Sequence, residues 1–304
     1  MLALPSQLRA VAASGDEPGL GEWVADRLPA AVRAATRRWA LRLEPPYEPG
    51  GYCSWVAPGV DGGGRSVVLK VGWPHEDSTW EPVALRLWGG DGAALLLDVL
   101  DGLDPDGTRA LLLERCDPGV TLGRTFVGAD EPEQDVVLAG LLRRLWASPA
   151  PDGLPALEAM CARWVAEFRL RRAARGAAAP LDDALVEAGL AEYLALAASA
   201  PEQVLLCTDL HAGNVLSARR EPWLAIDPKP HVGDAAYDAT QHLLNCPDRL
   251  AADPVGLARR MAGLLDVDPN RVVRWLFARG VVESLDMPVA AGVAAGLAVH
   301  LGVR

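Results

Sequence analysis

Three short apolar runs, Val204-Leu205-Leu206, Val215-Leu216 and Leu224-Ala225-Ile226, lie between polar loops and a turn. Runs of this length bounded by turn residues suit buried strands, so the stretch reads as strand, loop, strand, turn, strand. Two carboxylates and one amide sit between them. Asp209 and Asn214 are five apart on one loop, and Asp227 comes thirteen residues after Asn214, at the end of the next apolar run. The rest of the chain has to be organised around this framework, because it sets three polar groups on a β-scaffold in a fixed order.

Phosphoryl transfer from a nucleotide asks for such a set. One carboxylate orients an acceptor hydroxyl and takes its proton, while a second carboxylate and an amide oxygen hold the magnesium that bridges the phosphates. Magnesium prefers hard oxygen ligands and keeps some waters, so one Asp plus one Asn is enough protein ligation. On this reading Asp209 is the base, and Asn214 and Asp227 are the metal ligands. Taken alone, D-x-x-x-x-N describes an Asx-rich turn equally well. The residues upstream decide between the two.

The chain has 304 residues, enough for one large or two modest domains, and half of it is apolar. That composition is globular, not disordered. A net charge of −11 argues against nucleic acid and anionic membrane as partners. It is compatible with a cationic small substrate, as it is with many other roles. Lys70 and Lys229 are the only lysines; every other Lys or Arg position is Arg. In a chain so biased towards Arg, the two lysines stand out. The five cysteines are scattered, with no C-x-x-C pair and no zinc spacing, which fits reduced thiols in a cytoplasm. No basic region precedes an apolar stretch at the N-terminus, and the apolar segment Ala290 to Val299 is too short to span a bilayer. The expected location is the cytoplasm.

Residues 1 to 44 read as mostly helical and stop at Pro45-Pro46. A strand opens at Gly50 to Val56, Asp61-Gly62-Gly63-Gly64 is a hairpin turn, and Ser66 to Val71 is the returning strand. Gly50-Gly51 through Ser54 is the candidate phosphate cradle ahead of this hairpin. Lys70 sits late in the returning strand, where it either snorkels from an edge or holds the non-transferred phosphates. The next helix runs from Trp80 through Trp88, with Ser78 or Thr79 as its expected cap. Glu81 is the expected partner of Lys70 and Glu76 the alternate; as a plain helix residue, Glu81 would only favour the helix dipole. Leu95 to Leu100 and Ala110 to Glu114 read as two further strands. The composition then breaks, which puts a domain boundary between residues 116 and 117. The expected domains are therefore 1–116 and 117–304.

Beyond the boundary the chain is mainly helical, with apolar stripes over Glu133 to Ala147, Leu157 to Arg172 and Leu181 to Leu196. After the Asp209 stretch, Asp234 resembles a helix N-cap. Asp238, one turn on, either braces the Asp209 loop by hydrogen bonds or is an ordinary helix-surface Asp.

With Lys70, Glu81, Asp209, Asn214 and Asp227 in this order, the chain resembles the aminoglycoside phosphotransferase family, in its streptomycin 6-phosphotransferase and hydroxyurea phosphotransferase branch. The likeness is carried by Leu69-Lys70-Val71-Gly72-Trp73-Pro74, by Ala84 to Gly92, by Asp209-Leu210-His211 with Asn214-Val215-Leu216, and by Trp223 to Pro230. Val232-Gly233-Asp234 with Tyr237-Asp238 extends it. The family often has a His two residues before the catalytic Asp, where this chain has Cys207, and Thr208 replaces a Gly or Trp.

The resemblance implies an α+β, protein-kinase-like bilobal fold, with a small antiparallel β N-lobe, a mainly helical C-lobe and MgATP in the cleft. It implies that Lys70, aligned by Glu81, holds the α- and β-phosphates. It places the hinge at Glu114 to Cys116, whose backbone would meet adenine. His211 either lines the acceptor side or orders the loop, with ordering preferred. The acceptor it suggests is a cationic aminoglycoside antibiotic, streptomycin first. Glu283 and Asp286 either face its guanidinium groups or are helix-end surface charge. Competing readings are a kinase for hydroxyurea or another small metabolite, and a non-catalytic nucleotide-binding protein. Oligomeric state is not legible.

Overall fold

The structure, a computed structural model, describes residues 2–75 and 77–303. The chain divides into two compact units. The first holds the residues up to Gly119 together with Ala218–Pro222; the second holds Val120–Ser217 and the residues from Trp223 onward.

The first unit is built on a five-stranded antiparallel sheet of β1 (Arg42–Leu43), β2 (Ser54–Val60), β3 (Ser66–Gly72), β4 (Leu96–Leu100) and β5 (Arg109–Glu114), in the order β1-β2-β3-β5-β4. The hairpin turn between β2 and β3 falls at Asp61 to Gly64, as its Asp-Gly sequence predicts. Asp61 Oδ1 accepts from the amides of Gly63 and Arg65, and Gly64 takes the positive φ of 84° that the turn needs.

Strand side chains alternate between faces. Val67, Leu69 and Val71 of β3 join Trp55, Ala57, Ala110 and Leu112 in one core, which is closed by α1 (Ser6–Ser14) and α2 (Leu28–Arg38). Leu20–Glu22 and a π-helical turn, Trp23–Arg27, lead into α2. Three tryptophans anchor this layer by their indole N–H groups: Trp23 to Thr108, Trp39 to Asp98 and Trp55 to the Ala3 carbonyl, each at 2.8 Å. Each indole so buries a large apolar body without leaving its one donor unpaired. Lys70 falls on the opposite face from this core.

α3 (Glu81–Trp88) follows the sheet's first hairpin. Its expected cap is corrected. Trp80 occupies the N-cap position with no side-chain cap, and the Ser78 hydroxyl instead donates to the His75 carbonyl. Pro82 in the first turn brings no N–H, so one fewer donor needs a cap there. Glu76 lies outside the described residues.

The second unit is mainly helical: α4 (Pro132–Trp146), α5 (Leu157–Arg175), α6 (Asp183–Ala198), α7 (Ala235–Leu244), α8 (Pro247–Ala252), α9 (Pro254–Leu265), α10 (Pro269–Val282) and α11 (Pro288–Leu301). Two small antiparallel ribbons are set among the helices. β6 (Gln203–Leu206) pairs with β9 (His231–Asp234), and β7 (Val215–Ser217) pairs with β8 (Trp223–Ala225). β9 has no apolar alternation to announce it; only its pairing with β6 makes it a strand. Tyr193, Tyr237 and Trp275 pack edge to face at the centre, with Trp275 5.5 Å from Tyr193 and 5.1 Å from Tyr237 between ring centroids. Among the described residues no helix is long and apolar enough to cross a membrane.

Candidate active site

The second unit assembles the Asp209 loop between its two ribbons. β6 ends at Leu206, and Cys207 and Thr208 turn the chain towards Asp209. Thr208 has φ 50°, a conformation that a β-branched side chain rarely adopts. The surroundings hold it there. The Asp238 carboxylate accepts from the Cys207 amide at 2.9 Å and the Thr208 amide at 2.7 Å, and the Thr208 hydroxyl donates to the Lys229 carbonyl. Asp238 is therefore a brace and not a surface charge. It is buried, and Trp146 Nε1 donates to it as well, at 2.9 Å. Burial pushes its carboxyl up to about 6 against the pull of these donors. The bracing runs through the backbone amide of residue 207, so it does not depend on which side chain stands there. Burial holds the Cys207 thiol far above its ordinary range.

Beyond Asp209 the chain makes a 3₁₀ turn, Ala212–Asn214. His211 Nδ1 accepts from the Gly213 amide at 3.1 Å, and burial pushes the imidazole pKa down, so the ring orders the turn as a neutral acceptor. Asn214 Nδ2 donates to the Asp209 carbonyl at 3.0 Å, which turns the amide oxygen the other way. The Asn214 carbonyl in turn accepts from the Ile226 amide at 2.9 Å, and so ties the loop to the residue before Asp227. Asp227 itself stands at φ 54° just past β8. Asp209, Asn214 and Asp227 are thus set on one short framework of loop and ribbon.

Three further residues around Asp209 were not singled out as site residues from sequence. Lys229 Nζ lies 2.7 Å from Asp209 Oδ2. Gln241 Nε2 donates to Asp209 Oδ1 at 2.8 Å, and Arg279 donates to Gln241 Oε1 at 2.7 Å. Lys229 carried a signal, since it is one of two lysines in an Arg-rich chain. Gln241 and Arg279 carried none.

In the first unit, Lys70 Nζ contacts both oxygens of Glu81, at 2.7 and 2.6 Å, with Lys70 only 8 % and Glu81 only 4 % exposed. Lys70 pairs in register with Val56 and Leu111, so β2 and β5 flank it on a central strand. It does not snorkel from an edge. Gly51 precedes β2, and a Cβ there would lie 2.8 Å from Ser54 Oγ, so a larger residue would have to turn the Ser54 hydroxyl aside. Glu114 ends β5. Its amide donates to the Leu95 carbonyl at 2.9 Å, and its carboxylate takes the Arg220 guanidinium, which also holds the Gly90 carbonyl at 2.7 Å and the Ala93 carbonyl at 3.0 Å. The Glu114 N–H is therefore already engaged within the sheet. Burial pushes the nearby Cys116 thiol up to about 11.

Glu283 and Asp286 are each engaged by the chain's own arginines. Glu283 accepts from Arg279 at 3.2 Å, and Asp286 pairs with Arg171 and, at 3.6 Å, with Arg175. A cavity of about 370 Å³ opens elsewhere, beside His211, with Phe126, Glu131, Gln134 and Asn245 on its wall.

Residues 38–286 match the sequence profile of the family described as aminoglycoside/hydroxyurea antibiotic resistance kinase. The chain is 37 % identical to a streptomycin 6-kinase of Streptomyces griseus over 90 % of its own length and 86 % of the relative's. It is 38 % identical to a hydroxyurea phosphotransferase of Kitasatospora aureofaciens, over 92 % and 77 %. Its fold matches a crystal structure of the aminoglycoside phosphotransferase APH(4)-Ia with AMP-PNP and hygromycin B, at TM-score 0.57 and 17 % identity, covering 87 % of this chain and 96 % of that one. The α+β, protein-kinase-like architecture expected from the sequence is the one observed, and the chain belongs to the aminoglycoside/hydroxyurea antibiotic resistance kinase family.

Proposed function

We propose that this protein is an ATP-dependent kinase that phosphorylates a hydroxyl of an aminoglycoside, with streptomycin the first acceptor to test. The observation that carries this reading is the 37 % identity to a streptomycin 6-kinase across nine-tenths of the chain. In the reaction, Asp209 accepts the acceptor's hydroxyl proton while that oxygen bonds to the γ-phosphorus. The bond from the γ-phosphorus to the bridging oxygen breaks, ADP leaves, and the proton passes from Asp209 to solvent. Lys70, aligned by Glu81, binds the α- and β-phosphates, and the backbone from Gly51 to Ser54 and from Glu114 to Cys116 contacts the nucleotide.

Asn214 and Asp227 offer the hard oxygens that suit magnesium, and the outward turn of the Asn214 amide oxygen fits this use. Among the described residues no group of three or more His, Cys, Asp or Glu is placed to hold a metal, so the ion would complete its shell with phosphate oxygens and water. When bound it neutralises phosphate charge. The cavity beside His211 has a volume in the range of small-ligand sites, and Glu131 gives it an acidic wall for a cationic acceptor. Glu283 and Asp286 would serve a guanidinium only by giving up the arginines they hold. The reading places the protein in the cytoplasm, where ATP and the drug meet.

Hydroxyurea is the competing acceptor, favoured by the 38 % identity to a hydroxyurea phosphotransferase. Incubation with MgATP and a panel of aminoglycosides, peptide antibiotics and hydroxyurea, read by ADP release and product mass, decides. A gain of one phosphoryl group on streptomycin is the expected result, and a gain on hydroxyurea alone replaces the acceptor. Asp209→Ala lowers turnover about 10²- to 10⁴-fold with nucleotide affinity intact. Wild-type turnover in that variant would remove Asp209 from its role.

A further inference from the structure

Both oxygens of the Asp209 carboxylate are held, by Lys229 at Oδ2 and by Gln241 at Oδ1. Gln241 lies on α7, within one turn of the brace Asp238. Its side-chain amide has one donor end and one acceptor end. Arg279, from α10, is 2 % exposed and has only donors to offer. It places Nη2 on Gln241 Oε1 at 2.7 Å, and that contact forces the Gln241 NH₂ group to face Asp209. Arg279 is itself fixed. Its Nη1 donates to Thr240 Oγ1 at 3.1 Å, its Nη2 reaches Glu283 Oε1 at 3.2 Å, and its guanidinium carbon stands 4.9 Å over the Tyr237 ring.

We propose that Gln241, with its amide orientation set by Arg279, is a positioning residue for Asp209. The proposal rests on the reading of Asp209 as the base. A carboxylate has about four lone-pair directions, and two are used by Lys229 and Gln241. The remaining two then point in fixed directions, one of which receives the acceptor's proton. Displacement of a reacting group by about 1 Å can cost about 10²-fold in rate, so the grip on Oδ1 has a kinetic consequence beyond holding the loop.

Two substitutions separate positioning from scaffolding. Gln241→Glu keeps the shape and the acceptor for Arg279 but turns an oxygen towards Asp209 in place of a donor. Gln241→Met removes both poles without adding charge. Both variants are expected to lose kcat by roughly 10- to 100-fold, with KM for ATP within about twofold; Gln241→Met also lowers the thermal midpoint, because the buried Arg279 loses that acceptor. A folded Gln241→Met with wild-type kcat overturns the proposal, and so does a loss confined to KM or to stability. A second readout needs no turnover. The Gln241 side-chain amide signals, identified as the pair absent from Gln241→Glu, should move upfield in Asp209→Ala. Unmoved signals overturn the assignment. If the wild-type protein phosphorylates none of the panel, the acceptor reading fails, and the amide signals still decide the positioning of Asp209.

Discussion

Asp238 shows how much one side chain can determine. It is a buried carboxylate whose ionised form accepts three N–H donors, from Trp146, Cys207 and Thr208. Its folded pKa, raised to about 6 by burial, lies above the unfolded value of about 3.9. Between those values the native protein binds more protons than the unfolded chain, so this group's contribution to stability falls as pH rises through the window. Catalysis runs the other way, because below about 6 a protonated oxygen must face an amide donor and the Asp209 loop loosens. We expect kcat to fall below pH 6 in the wild type. Asp238→Asn, neutral at every pH, should have a reduced kcat and no acid limb in that range. Profiles of kcat against pH for both proteins check this, and an acid limb that survives in Asp238→Asn would assign it to another group.

At the scale of elements, the pairing of β3 with α3 turns two charges into one buried unit. Strand alternation puts Lys70 on the face away from the α1–α2 core, and the first turn of α3 meets it with Glu81. Removing one partner of a buried ion pair leaves the other charge uncompensated, at a cost of about 3–5 kcal/mol. Glu81→Gln is therefore expected to lower stability by about 3 kcal/mol and to weaken ATP binding. The double variant Lys70→Met/Glu81→Leu should recover much of the stability and none of the nucleotide affinity, because an apolar pair replaces the ions but cannot hold phosphate. Urea unfolding and nucleotide titration separate the two effects. Recovery of both together would show that Lys70 has no part in nucleotide binding.

On the largest scale, the second unit is held together at Asp135, which is 0 % exposed. Its carboxylate on α4 receives His242 of α7 at 2.9 Å, Arg249 of α8 at 3.0 and 2.6 Å, and Arg260 of α9 at 2.8 Å. Burial alone would raise its pKa, but these donors outweigh it and hold the carboxyl well below the usual range. A depressed pKa contributes stability that is present above the unfolded value and lost as pH falls through the folded one. Asp135→Asn should cost about 3–5 kcal/mol near neutrality. The gap to wild type should persist at pH 5 and narrow only below about pH 4. Thermal melts across that range check it; a gap already closed at pH 5 would show that the ionised Asp135 carboxylate is not the stabilising charge.

Much of this was legible along the chain. Apolar runs broken by turns announced β6, β7 and β8, the Asp-Gly turn announced the first hairpin, and the six residues from Asp209 to Asn214 announced one loop. Hydrophobic period and turn chemistry are local properties, so a linear pattern records them. The partners of polar side chains are not local. Asp135 read as one more residue of an amphipathic helix, although Arg260 reaches it from 125 positions away. Gln241 and Arg279, 38 apart, meet only where α7 packs on α10. The sequence by itself determined which elements form and which residues could carry phosphoryl transfer. Only the tertiary structure decided which oxygens of Asp209 are held and by what, because a hydrogen bond requires two groups within about 3 Å and the packing of the core sets that distance.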